Sequence, residues 1–246
     1  AVACPILETP GTVPLREVCQ IAHERGVPVI VDAAAELPPR ANLRRFLAEG
    51  ADLVVFSGGK AIGGPQASGI LAGRADLIAS VALQHQDMDV RPPTWSWRPL
   101  LDTGRLAGVP HQGFGRSMKV GREEIAGLVT ALRRYAAGSD EKDLERWQRR
   151  LDPIEEALRG VAGICVNRLL PARKPAPSLR IDLEGDRAGD RAYEIVNRLL
   201  EGEPAIAIDQ SHAEHGRLSV NPQGLTAVEA GIVARRLQEE FGGVMG

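Results

Sequence analysis

Val54-Val55-Phe56-Ser57-Gly58-Gly59-Lys60-Ala61-Ile62-Gly63-Gly64-Pro65-Gln66 decides the fold. An apolar β-branched run ends in a serine and two glycines. One lysine follows, then two more glycines. Such a run bounded by glycine reads as a buried strand entering a tight turn. The glycines let backbone approach a ligand closely. Lys60 is then either an ordinary loop lysine or an amine at the end of a buried strand. In the second case desolvation lowers its pKa and makes it a nucleophile towards carbonyls.

Working outward, Val27-Pro28-Val29-Ile30-Val31 is a second buried strand, with Asp32 at its carboxyl end. Between turn residues 9–14 and Gly26, a helix is expected with Leu15, Val18, Ile21 and Ala22 on its apolar face. A second helix is expected over Pro39–Glu49, a further strand over Ala67–Ala72 and a helix over Ala75–Gln84. Residues Ala1–Leu7 suit a short strand. This rhythm of strands and helices reads as a sheet covered by helices. Residues 85–117 are irregular, with Trp95 and Trp97 either pinning a surface excursion or marking a functional loop. A helix over Lys119–Tyr135 uses Val120, Ile125, Leu128, Val129 and Leu132 as its apolar face. Another spans Asp140–Leu158. Shorter elements follow: strands at Ile164–Leu169, Leu179–Leu183 and near Ile206 and Leu218, a helix around Asp190–Leu200, and a last helix after Thr226 as N-cap. The boundaries are 1–117 for part of a large domain, 118–136 for a connecting helix and 137–246 for a smaller α+β domain.

Composition narrows the function. The chain has 246 residues, 43% hydrophobic, with a formal net charge of -2. That supports a sizeable core and argues against nucleic-acid binding, which needs clustered Lys and Arg. Only 4% of residues are aromatic, too few for base-stacking platforms. No apolar run of about 18 residues exists to span a membrane. Cys4, Cys19 and Cys165 lack C-x-x-C spacing and suit reduced thiols of a cytoplasmic protein.

Asp32 and Lys60 share a chemistry. Carboxyl ends of neighbouring parallel strands face one crevice, and strands lie about 4.8 Å apart. A carboxylate there holds a protonated ring nitrogen, and a lysine there forms an imine with an aldehyde. These are the requirements of pyridoxal 5'-phosphate. Ser57, Gly58 and Gly59 offer a hydroxyl and backbone donors to a phosphate. Ala33, Ala34 and Ala35 are small enough to admit a planar ring or a closely packed helix.

Val29-Ile30-Val31-Asp32-Ala33-Ala34-Ala35, together with Phe56 to Gly69, resembles the fold-type I pyridoxal-phosphate enzymes. Within them it looks like the selenocysteine synthase-like group, which includes L-seryl-tRNA(Sec) selenium transferases and D-glucosaminate-6-phosphate ammonia-lyases. Gly115-Arg116-Ser117-Met118-Lys119-Val120-Gly121-Arg122-Glu123-Glu124-Ile125 looks more like the lyase branch. The resemblance implies an α/β fold: the C-terminal part of the large three-layer domain plus a smaller α+β domain. It implies Lys60 as the imine-forming lysine, Asp32 as the ring-nitrogen partner, and Ser57 and Ala34 as further cofactor contacts. Arg116 and Lys119 are candidates for a phosphate or substrate carboxylate, as is Arg180 on a strand of the second domain.

The chain departs from the group at Gly59, where an acidic residue often precedes the lysine. The group also has residues ahead of position 1 that supply the first strands, a Gly-rich phosphate loop and the ring-stacking residue. Their expected source is a missing segment or a separate N-terminal half chain, since a sheet begun with so few strands exposes a long edge. The implied activity is a lyase on a small amino acid or amino sugar acid, by Cα-proton abstraction and α,β-elimination. Its products are a 2-keto acid and ammonia. The alternatives are selenium transfer on seryl-tRNA, racemisation or transamination, and a non-catalytic subunit or fragment. The expected partners are a small-molecule substrate and a second copy in a dimer or multiple of dimers, with neither nucleic acid nor membrane.

Other polar residues have bland readings. His23 belongs on a helix surface. His212 and His215 with Asp209 and Glu214 form a polar turn, and no metal motif supports a metal there. His85, His111, Asp87, Asp89 and Arg91 are weak substrate-contact candidates in the long irregular segment.

Overall fold

A computed structural model describes residues 1–5, 11–86, 91–110, 112–171 and 176–242. Leu7, Thr9, Pro10, Asp87, Asp89 and His111 therefore lie outside the described residues. The chain divides into two compact units, Ala1–Ala137 and Gly138–Gly246.

The first unit begins with β1 (Val2–Pro5), α1 (Leu15–His23), β2 (Val29–Asp32), α2 (Asn42–Ala48), β3 (Leu53–Ser57) and β4 (Gly69–Gly73). The strands lie in the order β1-β2-β3-β4. The first three are parallel and β4 pairs antiparallel with β3. Register and the two-residue period of a strand sort the side chains onto two faces. One carries Cys4, Val29, Val31, Val54, Phe56, Ile70 and Ala72, all in the unit's core cluster. Leu15, Cys19 and Ala22 of α1 and Phe46 of α2 pack into the same cluster. Phe46 meets Phe56 with ring centroids 6.3 Å apart. Each such fully buried side chain is worth about 1.5–3 kcal/mol.

The opposite face carries buried Leu53 at its start, then Ile30, Asp32, Val55, Ser57 and Leu71, which are half-buried or exposed. The expectation of a sheet buried by helices thus holds fully for the first face only. The apolar face expected of α1 also shifts: Cys19 is buried and Ile21 is 55% exposed. Leu15, Cys19 and Ala22 follow the i, i+4, i+7 spacing of one helix stripe, and Ile21 falls beside it. Gly26, at φ +66°, turns the chain from α1 towards β2.

After β4 come α3 (Ala75–Gln84), α4 (Pro99–Asp102), a 3₁₀ turn at Phe114–Met118 and α5 (Arg122–Ala136). Trp95 is buried and Trp97 half-buried, so the tryptophans pin the irregular segment. The last helix starts at Arg122 rather than Lys119, because residues before it form the separate turn. Its apolar residues also divide. Leu128, Ala131, Leu132 and Tyr135 join the core cluster. Val120, Ile125 and Val129 are 42%, 52% and 41% exposed.

The second unit contains α6 (Asp140–Ala157), β5 (Ile164–Leu169), β6 (Ser178–Leu183), α7 (Ala188–Glu201), β7 (Asp209–His212), β8 (Arg217–Val220) and α8 (Ala227–Gly242). The antiparallel sheet runs β5-β6-β8-β7. Leu179, Ile181, Leu218 and Val220 alternate on the face that packs with Leu151, Ile195, Leu199 and Leu237 of the helices. Thr226 caps α8 as expected. Its Oγ1 accepts from Glu229 N at 3.2 Å, and Glu229 Oε2 accepts from Thr226 N at 2.6 Å, the reciprocal capping box. The strand expected near Ile206 is corrected. Ile206 N donates to Leu199 O at 2.8 Å, tying residues 205–208 back to α7, and the ladder starts at Asp209. No described helix is long and apolar enough to cross a membrane.

Candidate functional site

At the carboxyl ends of the parallel strands, Asp32 closes β2 opposite Val55 of β3. Ser57 lies two positions beyond Val55, so both side chains stand on the face that carries Asp32. Asp32 is exposed and Ser57 half-buried. Ala33 N donates to Val55 O at 2.9 Å, which extends the strand pairing into the turn. Ala34 N then donates to Asp32 Oδ1 at 3.0 Å. This short side-chain-to-backbone turn orients the carboxylate while leaving it open to solvent.

Lys60 sits in a loop folded on itself. Gly58 N donates to Ser68 O at 2.9 Å, Gly64 N to Gly58 O at 2.8 Å, and Gly63 N to Lys60 O at 2.9 Å. Gln66 Nε2 donates to Gly59 O at 3.1 Å, and Ser68 Oγ to Pro65 O at 2.5 Å. A Cβ on Gly58 would lie 2.1 Å from Ser68 Oγ, and one on Gly59 would lie 2.7 Å from Gln66 Cα. Close internal packing is therefore the reason for both glycines. The Gly58 amide is taken by Ser68, which corrects its expected role as a phosphate donor. The loop rests on α5, with Gly64 against Leu128 and Gly127 against Pro65.

Lys60 itself is exposed, which corrects the expected desolvated amine within these residues. Among the described residues, its ammonium forms no hydrogen bond or ion pair. The structure thus gathers Asp32, Ala34, Ser57 and the Lys60 loop at one end of one sheet. Arg116 and Lys119 are exposed on a different segment. Arg116 lies in the 3₁₀ turn and Lys119 directly after it. Gly113 N donates to Gln86 O at 3.0 Å there, and Gly115 lies against the His85 ring. Arg180 belongs to the second unit. Its Nε is 2.8 Å from Asp182 Oδ2, near enough for an ion pair but not aligned as a hydrogen bond. Asp182 also accepts from Arg217 Nε at 2.8 Å. His215 stands 3.6 Å from Glu214. Among the described residues no group of three or more His, Cys, Asp or Glu is placed to hold a metal ion.

The amino end of the same sheet holds a cluster that sequence reasoning missed. Asp52, 5% exposed, precedes β3. Its Oδ2 lies 2.8 Å from His23 Nε2 and accepts from Val29 N at 2.8 Å. Its Oδ1 accepts from Arg74 Nη1 at 2.9 Å. Burial alone would push the Asp52 carboxyl up. The bonds from Arg74, Val29 N–H and His23, with the charge of His23, outweigh burial and bring it down to about 2. Arg74 also binds Asp76 at 2.7 Å. The only sequence signal was an aspartate directly before an apolar strand. His23 is thus a tether from the end of α1 to the sheet rather than a free surface residue.

The carboxyl-end residues fit a pyridoxal-type cofactor: an oriented, exposed carboxylate, a serine hydroxyl on the same face and an unpaired primary amine. The family model described as L-seryl-tRNA selenium transferase matches residues 9–90. The 5'-C-glycyluridine monooxygenase-decarboxylase of Streptomyces sp is 31% identical over 228 residues, covering 92% of this chain and 49% of that protein. The D-glucosaminate-6-phosphate ammonia lyase of Salmonella typhimurium is 29% identical over 230 residues, covering 93% of this chain and 53% of that one. The chain therefore spans about half the length of these curated relatives. A solved structure of D-glucosaminate-6-phosphate ammonia-lyase superposes with a TM-score of 0.71 at 26% identity, over 100% of this chain and 58% of that one. Sequence and fold together show a fold-type I pyridoxal-phosphate protein, similar to the D-glucosaminate-6-phosphate ammonia lyases and the L-seryl-tRNA(Sec) selenium transferases.

Proposed function

We propose that this chain forms the lysine-bearing part of a pyridoxal-phosphate lyase acting on a small amino acid or amino sugar acid. The observation that carries the reading is the exposed Lys60 amine, without a partner among the described residues, following the strand that registers with Asp32. Bound there, pyridoxal phosphate supplies an aldehyde for amines and an electron sink for charge developing at Cα. Lys60 Nζ would be the amine that holds the cofactor and, when free, the base that takes the Cα proton. Asp32, steadied by Ala34 N–H, would hold the protonated ring nitrogen. Ser57 would offer its hydroxyl to the phosphate. Arg116, Lys119 and Arg180 are the cations assigned to substrate carboxylate or phosphate.

Among the relatives that match nearly the whole chain, two bear different activities in their names, one a decarboxylation and one an ammonia loss. Both are compatible with bond breaking at Cα, and the orientation of the labile bond decides between them. The working assembly in this reading is a cytoplasmic dimer, or a multiple of dimers, completed by an N-terminal half. Domain limits of 1–117, 118–136 and 137–246 go with it. A second reading, selenium transfer to seryl-tRNA, is favoured by an L-seryl-tRNA(Sec) selenium transferase of Nitratidesulfovibrio vulgaris, 28% identical over 245 residues and 94% of this chain, and by stronger local similarity. The L-seryl-tRNA(Sec) selenium transferase of Rhizobium meliloti is 46% identical over 78 residues, 28% of this chain. The test is a panel of β-hydroxy amino acids and amino sugar acids given to the assembled protein with pyridoxal phosphate. Equal release of ammonia and 2-keto acid supports the lyase. Release of carbon dioxide without ammonia, or turnover only with seryl-tRNA, refutes it.

A further inference from the structure

The second unit carries a solvent-open pocket of about 500 Å³, within the range of small-molecule pockets, about 300–1,000 Å³. Buried Val220 of β8 and Val233 of α8 line it. Residues 204–209 form one wall, with Ile206 and Ile208 packed on the unit's core. That wall is fixed in place. Arg236, 8% exposed, donates from Nη1 to Pro204 O at 3.1 Å and from Nη2 to Arg198 O at 3.4 Å. Ile206 N is tied to Leu199 O at 2.8 Å, and Asp209 enters the ladder opposite Ser219. The space is therefore held between two anchored elements and belongs to the folded scaffold.

Two carboxylates line the cavity, Asp209 and Glu229. Glu229 is already committed to the capping box with Thr226. The Arg150 guanidinium also lies near Glu229, donating to the carbonyls of Pro222 and Gln223 at 3.2 and 3.3 Å. Asp209 differs. Its Oδ1 accepts from Ser211 N at 2.9 Å and from Ser211 Oγ at 2.6 Å. Those bonds hold its carboxyl below the usual range, with the charge of neighbouring His212 a smaller contribution. Its second oxygen carries no hydrogen bond from a described residue. Ser219 and Asn221 add polar groups beside the aliphatic part of the lining.

We propose that this cavity binds a cationic small molecule with an aliphatic body, its positive end at Asp209 and its hydrocarbon against Ile206, Val220 and Val233. The inference does not depend on the cofactor reading, because every residue it uses lies in the second unit. The probe is hexyltrimethylammonium, which has no N–H and cannot condense with an aldehyde. Titration of the full chain by calorimetry, with amide shifts mapped by NMR, is expected to show one saturable site with shifts at Ile206, Ile208 and Ile232. Hexanoate and 1-hexanol are expected to bind at least about tenfold more weakly. Asp209→Asn keeps the acceptor for Ser211, removes the charge and is expected to weaken the probe by about tenfold or more. Ile232→Trp and, at an exposed position, Ala207→Phe each fill the space and are expected to abolish binding. Lys60→Ala is expected to bind the probe as the native chain does. No saturable binding, equal binding of hexanoate, or an unchanged affinity in Asp209→Asn would overturn the proposal.

Discussion

The two ends of the first sheet carry similar charged groups in opposite circumstances. At the amino end, Asp52 is buried and answered by Arg74, His23 and the Val29 amide. At the carboxyl end, Asp32 is exposed and, among the described residues, held only by the Ala34 amide of its own turn, while Lys60 has no partner among them. A carboxylate satisfied on both oxygens fixes strands and has no capacity left for a ligand. A carboxylate oriented by one backbone bond retains an open oxygen. Strongly shifted titration is often taken to mark function, but structural networks produce it too. Here the shifted group, Asp52, is the structural one.

Substitutions can separate the two ends. Lys60→Ala is expected to have the largest effect, lowering turnover of the loaded enzyme by about a thousandfold or more. Its unfolding free energy should stay within about 0.5 kcal/mol, as for an exposed site. A loss of stability comparable to the loss of activity would break the contrast. Asp32→Asn should follow. A charge-assisted hydrogen bond is worth about 1.5–3 kcal/mol, so turnover should fall about 10- to 100-fold with the melting curve unmoved.

Asp52→Asn should do the reverse. It leaves Arg74 beside a neutral amide and is expected to cost about 2 kcal/mol in denaturant unfolding, with no direct effect on cofactor attachment. The sign in pH follows from its lowered value. The contribution of Asp52 is complete above its ordinary pKa of 3.8 and is lost as pH falls towards about 2. Native stability should therefore drop through that window by about 1–2 kcal/mol more than in Asp52→Asn. His23→Gln should be mildest, at about 0.5–1 kcal/mol, because His23 is 44% exposed and Arg74 remains.

Much of the sheet was legible because its signals are local. Val29–Asp32 and Leu53–Ser57 are apolar runs bounded by turn residues, and α3 begins and ends where its pattern does. Asp32 and Lys60 were legible as a pair because parallel strands bring their carboxyl ends together. What was not legible depends on contacts distant in sequence. Residues 204–208 alternate like a strand, but a bond back to Leu199 and the Arg236 strut keep them off the ladder. Gly58 looked like a phosphate donor, yet its amide meets Ser68 on the far side of its loop. The Asp52 cluster joins a helix end, a strand start and a residue after β4, three points with no shared pattern. Lys60 was expected to be desolvated, a property set by what covers a residue rather than by its neighbours in sequence.

The central claim is that Lys60 is the amine that holds the cofactor. The chain has only four lysines, Lys60, Lys119, Lys142 and Lys174, so the test has few outcomes. The assembled protein is loaded with pyridoxal phosphate, reduced with borohydride, digested and mapped by mass spectrometry. The reading predicts one stoichiometric adduct on the Lys60 peptide, absent in Lys60→Ala. An adduct on another lysine, or an equal yield in Lys60→Ala, would contradict it.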